Sequence, residues 1–177
     1  MTEIRRSEVI VPGPADALAG VLGVPRPDGD RLPPLWHWLY LLERPLTADL
    51  GPDGHPTVGI PAPPEPGMRR MFAGGRVTTV APLRIGESAQ RRTRITDTVE
   101  KSGRNGPLRF VTVRHEYEQA GELAVVDEQD IVYRAGGGRL APPVAAPPPD
   151  STAAFPLAVD EALLFRFSAL TYNAHRI

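Results

Sequence analysis

Pro107-Leu-Arg-Phe-Val-Thr-Val-Arg-His-Glu-Tyr-Glu-Gln119 and Glu122-Leu-Ala-Val-Val-Asp-Glu-Gln-Asp-Ile-Val-Tyr-Arg134, joined by Ala120-Gly121, decide the fold of this chain. Side chains alternate between the two faces of a strand. On that period Val111, Val113, His115 and Tyr117 share one face, and Phe110, Thr112, Arg114 and Glu116 share the other. In the second segment Leu123, Val125, Ile131 and Tyr133 line one face, with Asp127 and Gln129 interrupting it. A two-residue connection containing glycine is the signal of an antiparallel hairpin. Upstream, Arg76–Leu83 and Glu87–Lys101 read the same way, with Gly86 and Gly103-Arg-Asn-Gly106 as turns. Four successive β-segments with short turns predict an antiparallel meander. Long strands with one polar face predict a curved sheet wrapped around a helix or packed edge to edge with a second sheet.

That helix has a candidate in Pro14–Gly23. Pro14 suits a first turn, Asp16 stands near the positive end of the dipole, and Gly23 can end the helix. Ala17, Leu18, Val21 and Leu22 make its apolar stripe. One helix and a meander give an α+β domain. Leu35-Trp-His-Trp-Leu-Tyr-Leu-Leu42 follows a Pro-Pro pair and suits a buried strand, although so short an apolar run also fits a helical segment. Glu43–Met68 is rich in Gly, Pro and Asp, with a turn expected at Gly51-Pro-Asp-Gly54. Gly136–Gly138 closes the meander, and Ala141–Pro149 is a semi-extended polyproline spacer, too poor in large apolar residues to pack a core. Beyond it Glu161–Ser168 alternates like a strand. Left unpaired it would be a sticky edge, so it is expected to dock on its own domain or recruit another chain.

Composition limits the function. The formal net charge of −1 over 177 residues gives no basic field for nucleic acid or an anionic membrane. The absence of cysteine excludes a disulfide framework, a thiolate zinc site and a cysteine nucleophile. No segment has the spacing of a metal site, and no serine has the context of a nucleophile elbow. The first eight residues carry Glu3, Arg5, Arg6 and Glu8 rather than an apolar run. No stretch approaches the roughly 18 apolar residues that span a bilayer. A cytoplasmic protein is expected. The 21 prolines cluster at Pro25–Pro34, Pro56–Pro66 and Pro142–Pro156, so they mark connections.

The segment richest in chemistry is Ser168-Ala-Leu-Thr-Tyr-Asn-Ala-His-Arg-Ile177. Its Asn-x-His-Arg-Ile resembles the signature of MaoC-like double hot-dog hydratases, in the branch that hydrates 3-methylfumaryl-CoA (mesaconyl-type). There the stretch reads Asn-x-His-Arg-Ile-His-Tyr-Asp. Leu35–Leu42, Gly51–His55, Arg69–Arg76, Val111–Tyr117 and Gln129–Arg134 are also similar to the N-terminal hot-dog half of that branch. The resemblance spans most of the chain. It implies a hot-dog fold over residues 1–140, a proline-rich linker at 141–156, and the start of a second, catalytic hot-dog unit at 157–177.

By the same registration Asn173 stands where other hydratases place an Asp, and His175 where they place an Asn. Hydration of an α,β-unsaturated thioester needs a group to activate water and a group to move the proton. It also needs donors at the thioester carbonyl, where enolate charge develops. An Asn can orient water but cannot take its proton, so imidazoles would do the transfer. Asn173 and His175 are the catalytic candidates, and a polar residue at a segment end is the plain alternative for His175. The branch supplies a further His after the position of Ile177, so residues 1–177 alone are expected to have little activity.

Arg69, Arg70 and Arg76 around Phe72, Gly74 and Gly75 could bind coenzyme A phosphates, because arginine matches phosphate oxygens and glycine permits close approach. The alternative is a solvated loop before a strand. His115 reads as a strand-face histidine, His37 as structural, and His55 as a loop residue near the pocket. The resemblance implies a hydro-lyase without metal or redox cofactor, acting on an acyl-CoA and forming a homodimer or pairing with a second hot-dog half. Two other readings stand beside it: a 3-hydroxyacyl-ACP dehydratase, and a non-catalytic hot-dog subunit that forms the acyl pocket with a separate catalytic chain.

Overall fold

The computed structural model describes residues 3–51, 54–62, 64–103, 106–135 and 157–173. The expected glycine stop at 136–138 and the linker at 141–156 lie outside those residues. The elements run β1 (Glu3–Val9), α1 (Pro12–Leu22), a 3₁₀ turn (Trp36–Leu39), a second (Thr47–Asp49), β2 (Met68–Thr79), β3 (Ser88–Gly103), β4 (Gly106–Gln119), β5 (Glu122–Ala135) and α2 (Glu161–Thr171). The five strands form one antiparallel sheet in the order β1-β3-β4-β5-β2.

The α+β class and the antiparallel pairing are as expected, and β3, β4 and β5 are a true meander. β2 is not part of it. Its pairing partner is β5 at the far edge, so the segment after it crosses the end of the sheet instead of turning back. That crossing is pinned at Leu83 (whose carbonyl accepts from Leu32 N), at Ile85 N to Asp30 O and at Gly86 N to Ile10 O. Arg84 N donates to the Gln119 side chain at 2.7 Å. β2 also begins earlier than its apolar pattern suggests, at Met68, so Arg69–Gly75 lie within a strand and not in a loop before it. A bulge between Phe72 and Gly74 breaks the alternation that would have shown it. β1 escapes a sequence reading because Glu3, Arg5 and Ser7 face solvent on an edge strand with few apolar residues.

The helix on the inner face of the sheet is α1. It starts at Pro12 and ends on Gly23 at φ 68°, with Val24 N reaching back to Ala19 O. Its buried stripe is Ala15, Leu18, Ala19 and Val21, so Ala17, expected inside, is exposed. The earlier start also moves Asp16 out of the first turn, and its carboxylate pairs with Arg26 at 2.6 Å. The stripe packs with Leu32, Trp36, Leu39, Tyr40 and Leu41, and with Ala89, Tyr117, Ala124 and Val125 from the sheet. A second apolar cluster, Val111, Val113, Ile131 and Tyr133, is covered by Ile60 from the long loop.

Two segments change type. Leu35–Leu42 is not a strand: Leu35 takes φ 71°, and the chain winds into a 3₁₀ turn that buries Trp36, His37 and Leu39. Glu161–Ser168 is not a strand either. Asp160 caps α2 by accepting from Leu163 N at 2.8 Å, and the helix extends to Thr171. Leu163, Phe167 and Leu170, spaced for one helical face, pack against the first cluster. The segment therefore docks on its own domain, one of its two expected fates. The turn at Gly51 is as expected, with Gly54 N donating to Gly51 O at 2.9 Å. No helix among the described residues is long and apolar enough to cross a membrane.

Candidate functional site

Registers place Ile4, Thr93, His115, Asp127 and Val77 side by side on five strands, in one row across the inner face. The row lies between the two apolar clusters. It is the polar interruption foreshadowed by Asp127 and Gln129 in the sequence. Asp127 is only 1% exposed. Its carboxylate accepts from Trp38 Nε1 at 2.8 Å and from Gln129 Nε2 at 3.0 Å. His37 Nε2 lies 3.6 Å from the same oxygen, too far for a full hydrogen bond. Burial alone would raise the Asp127 carboxyl, but the His37 ring and the Trp38 and Gln129 donors outweigh it and hold the group below its ordinary value.

On the neighbouring strand His115 Nδ1 and Thr93 Oγ1 are 2.8 Å apart. Burial, aided by the positive charge of Arg91, lowers His115 to about 4, so its imidazole is neutral near pH 7. Tyr117 packs edge-on to His37 with ring centres 4.9 Å apart, and burial raises its phenol to about 12. A neutral imidazole beside a carboxylate is a usable acid–base set. Here both are packed into the sheet and tied to protein partners, which suits holding other groups in place.

The outer face carries charge. Glu116 takes Arg92, Arg94 and Arg114, and Arg114 continues to Glu128, which with Asp130 holds Arg76. The six residues expected to bind coenzyme all fall on β2 but divide between its faces. Arg70, Phe72 and Gly75 pair with Tyr133, Ile131 and Gln129 on the inner side, whereas Arg69, Gly74 and Arg76 pair with Arg134, Asp130 and Glu128 on the outer side. Arg76 is engaged with Glu128 and Asp130 at 3.3 and 3.2 Å, and Arg70 reaches Pro61 O at 3.4 Å. Asn173 follows directly on the end of α2, where Tyr172 takes φ 52° and Asn173 N donates to Ser168 O at 2.9 Å. His175 lies outside the described residues. Sequence reasoning passed over Trp38 and Thr93; the only signal for them was the polar break in the β5 face, which implied partners across the sheet.

A family model described as hydroxyacyl-thioester dehydratase type 2 matches residues 35–177. A mesaconyl-C(4)-CoA hydratase of Chloroflexus aurantiacus is 50% identical over 157 residues, which is 88% of this chain and 56% of that protein. The chain therefore spans little more than half the length of this curated relative. Two crystal structures of HtdX from Mycobacterium tuberculosis superpose with TM-scores of 0.51 and 0.55 at 14% and 15% identity. They cover 98% of this chain and 62% and 64% of theirs, and they show that the fold is shared.

Proposed function

The chain belongs to the hydroxyacyl-thioester dehydratase type 2 family, and from that membership we propose that it forms the N-terminal hot-dog part of an acyl-CoA hydro-lyase. The reaction is addition of water to an enoyl-CoA such as 3-methylfumaryl-CoA, or its reverse. The observation that carries this reading is the 50% identity to the mesaconyl-C(4)-CoA hydratase over nearly the whole chain. Residues 1–140 are the first hot-dog unit, and 157–177 open a second. Asn173 orients the attacking water and His175 moves its proton. The thioester carbonyl is polarised by backbone donors, so the chemistry calls for no metal and no redox cofactor. A cytoplasmic setting accords with a chain devoid of cysteine.

The placement of the imidazoles favours a division of labour. His115 is paired with Thr93 within the sheet and His37 is buried in the 3₁₀ turn against Tyr117, so proton transfer is assigned to the motif that follows α2. The same observation supports the second reading, in which this half shapes the pocket and a separate chain supplies the catalytic residues. Pairing with a second hot-dog unit, in one chain or in a homodimer, belongs to both. The test is the loss of enoyl-thioester absorbance on adding 3-methylfumaryl-CoA to the full-length gene product. His175→Ala should lower kcat by about 10²–10⁴-fold. Unchanged turnover in that variant would remove His175 from the mechanism; a full-length product inactive by itself and activated by a second hot-dog chain would favour the separate catalytic chain.

A further inference from the structure

The two helices end on the same turn, built from different residues. In α1 the left-handed residue is Gly23, and Val24 N reaches back to Ala19 O at 3.0 Å. In α2 it is Tyr172, at φ 52°, and Asn173 N reaches back to Ser168 O at 2.9 Å. Glycine takes this conformation without a Cβ penalty; for a bulky side chain it is an outlier that persists only where the surroundings enforce it. Such a cap often brings the residue after the left-handed one into apolar contact with the last turns of the helix. Val24 can make that contact in α1; Asn173 cannot make it in α2. The turn that sets Asn173 therefore has neither the glycine nor the apolar latch that would hold it from within.

The same helix is apolar on two sides. Leu163, Phe167 and Leu170 meet the core. At about 3.6 residues per turn Phe165 and Ala169 stand on the opposite side, and Tyr172 lies two turns beyond Phe165. Phe165 is 65% and Tyr172 54% exposed, with Leu164 beside them at 44%. A surface helix keeps its apolar residues on one face, so a second apolar face calls for a second partner. The chain spans 56% of the mesaconyl-C(4)-CoA hydratase, and the family match runs through α2 to residue 177. On the acyl-CoA reading above, α2 opens the second hot-dog unit, and the body of that unit follows directly on Tyr172.

We propose that α2 is a bridge: its docked side holds the first hot-dog unit, and Phe165 and Tyr172 on its other side are covered by the body of the second. That contact takes the place of a glycine or a local latch. It holds the left-handed turn and so fixes the direction in which the chain leaves the helix at Asn173. Tyr172 is a positioning residue, acting through the backbone of its neighbour. The second unit is supplied by the acyl-thioester reading, on which this rests.

Amide exchange and turnover of 3-methylfumaryl-CoA by the full-length gene product test it. Phe165→Ser should leave far-UV dichroism unchanged, yet speed exchange across residues 161–173 roughly tenfold. Tyr172→Gly eases the turn itself, so in a plain helix cap it would keep or raise Tm and slow exchange. With the ring serving as the contact, exchange should instead quicken, and kcat should fall roughly tenfold with KM within about twofold. Tyr172→Phe keeps the ring and should restore both. Exchange in α2 that ignores Phe165→Ser, or a kcat that survives Tyr172→Gly, would overturn the bridge and leave the family reading standing. A loss of kcat in Tyr172→Phe as well would show the phenol touching substrate and overturn the positioning role. Protection of α2 that rises with protein concentration, in step with mass by light scattering, would assign Phe165 to a second copy and overturn the bridge. An inactive full-length product whose α2 still responds to Phe165→Ser would remove the acyl-CoA reading and keep the contact.

Discussion

Asp127 keeps a negative charge in a place where water cannot reach it, and two neutral donors make that possible. Removing the carboxylate strands them. Asp127→Ala leaves the Trp38 and Gln129 N–H groups without their acceptor and is expected to cost about 1–3 kcal/mol in urea unfolding. The same row predicts acid sensitivity. The folded value of His115, about 4, lies below the ordinary 6.5, so the unfolded chain takes up a proton first as pH falls. Its contribution is complete above about pH 6.5 and lost progressively down to about 4. Asp127 and Glu116 are held below their ordinary values despite burial, so their contributions are present above the usual carboxylate range and also fade as pH falls through it. All three act in one direction. Unfolding measured at pH 7, 5.5 and 4.5 should show steadily falling stability, and His115→Gln should flatten the decline above pH 4.5. On the outer face, Glu116→Gln takes the shared anion from Arg92, Arg94 and Arg114. Glu116 is covered by arginine side chains rather than by a core, so the expected loss is modest, about 1–3 kcal/mol, and shrinks in high salt.

Among the elements, α2 is where reading the sequence and reading the structure diverge most. Leu163, Phe165 and Phe167 form a stripe at period two; Leu163, Phe167 and Leu170 form one at the helical period. Eleven residues satisfy both, and a short apolar run does not choose between them. Asp160 and the surface of α1 choose: with the helix formed, Phe165 is left 65% exposed while the other three side chains reach the core. Asp160→Ala should therefore loosen the helix by about 1 kcal/mol, seen as faster amide exchange across residues 161–171 with the sheet unaffected. Phe167→Ala should do the same and undock it. The 3₁₀ turn at Trp36 was hidden for a related reason, since a run apolar at nearly every position has no period to read. β4 was legible because one of its faces is polar and the other is not. At the site, Asp127 and Gln129 were visible as defects in an apolar face, but Trp38, whose indole donates to Asp127, comes from 89 residues earlier in the chain, and Thr93, which pairs with His115, from 22 residues earlier, and only folding brings them together.

At the scale of the molecule the sheet has two edges among the described residues, and they differ. β1 is seven residues long, with Glu3 and Arg5 exposed along it, whereas β2 offers twelve. A long edge with unpaired backbone groups is a template for another strand. If a second hot-dog unit joins along β2, amide exchange in residues 68–79 should slow as protein concentration rises, in step with a doubling of mass by light scattering. Exchange in β2 that is indifferent to a dimer's formation would move the interface elsewhere.

The strand order has a consequence for how the chain is made. β2 pairs with β5, the last of these five strands to leave the ribosome, while β3, β4 and β5 close by local hairpins. Synthesis runs at about 5–20 residues per second, so Met68 waits several seconds for Ala135 to appear. During that time β2 has no native neighbour, and the nascent chain carries an unpartnered strand with Met68, Met71 and Phe72 open to solvent. Newborn chains, more than finished ones, are the population in which this protein is exposed to misassociation.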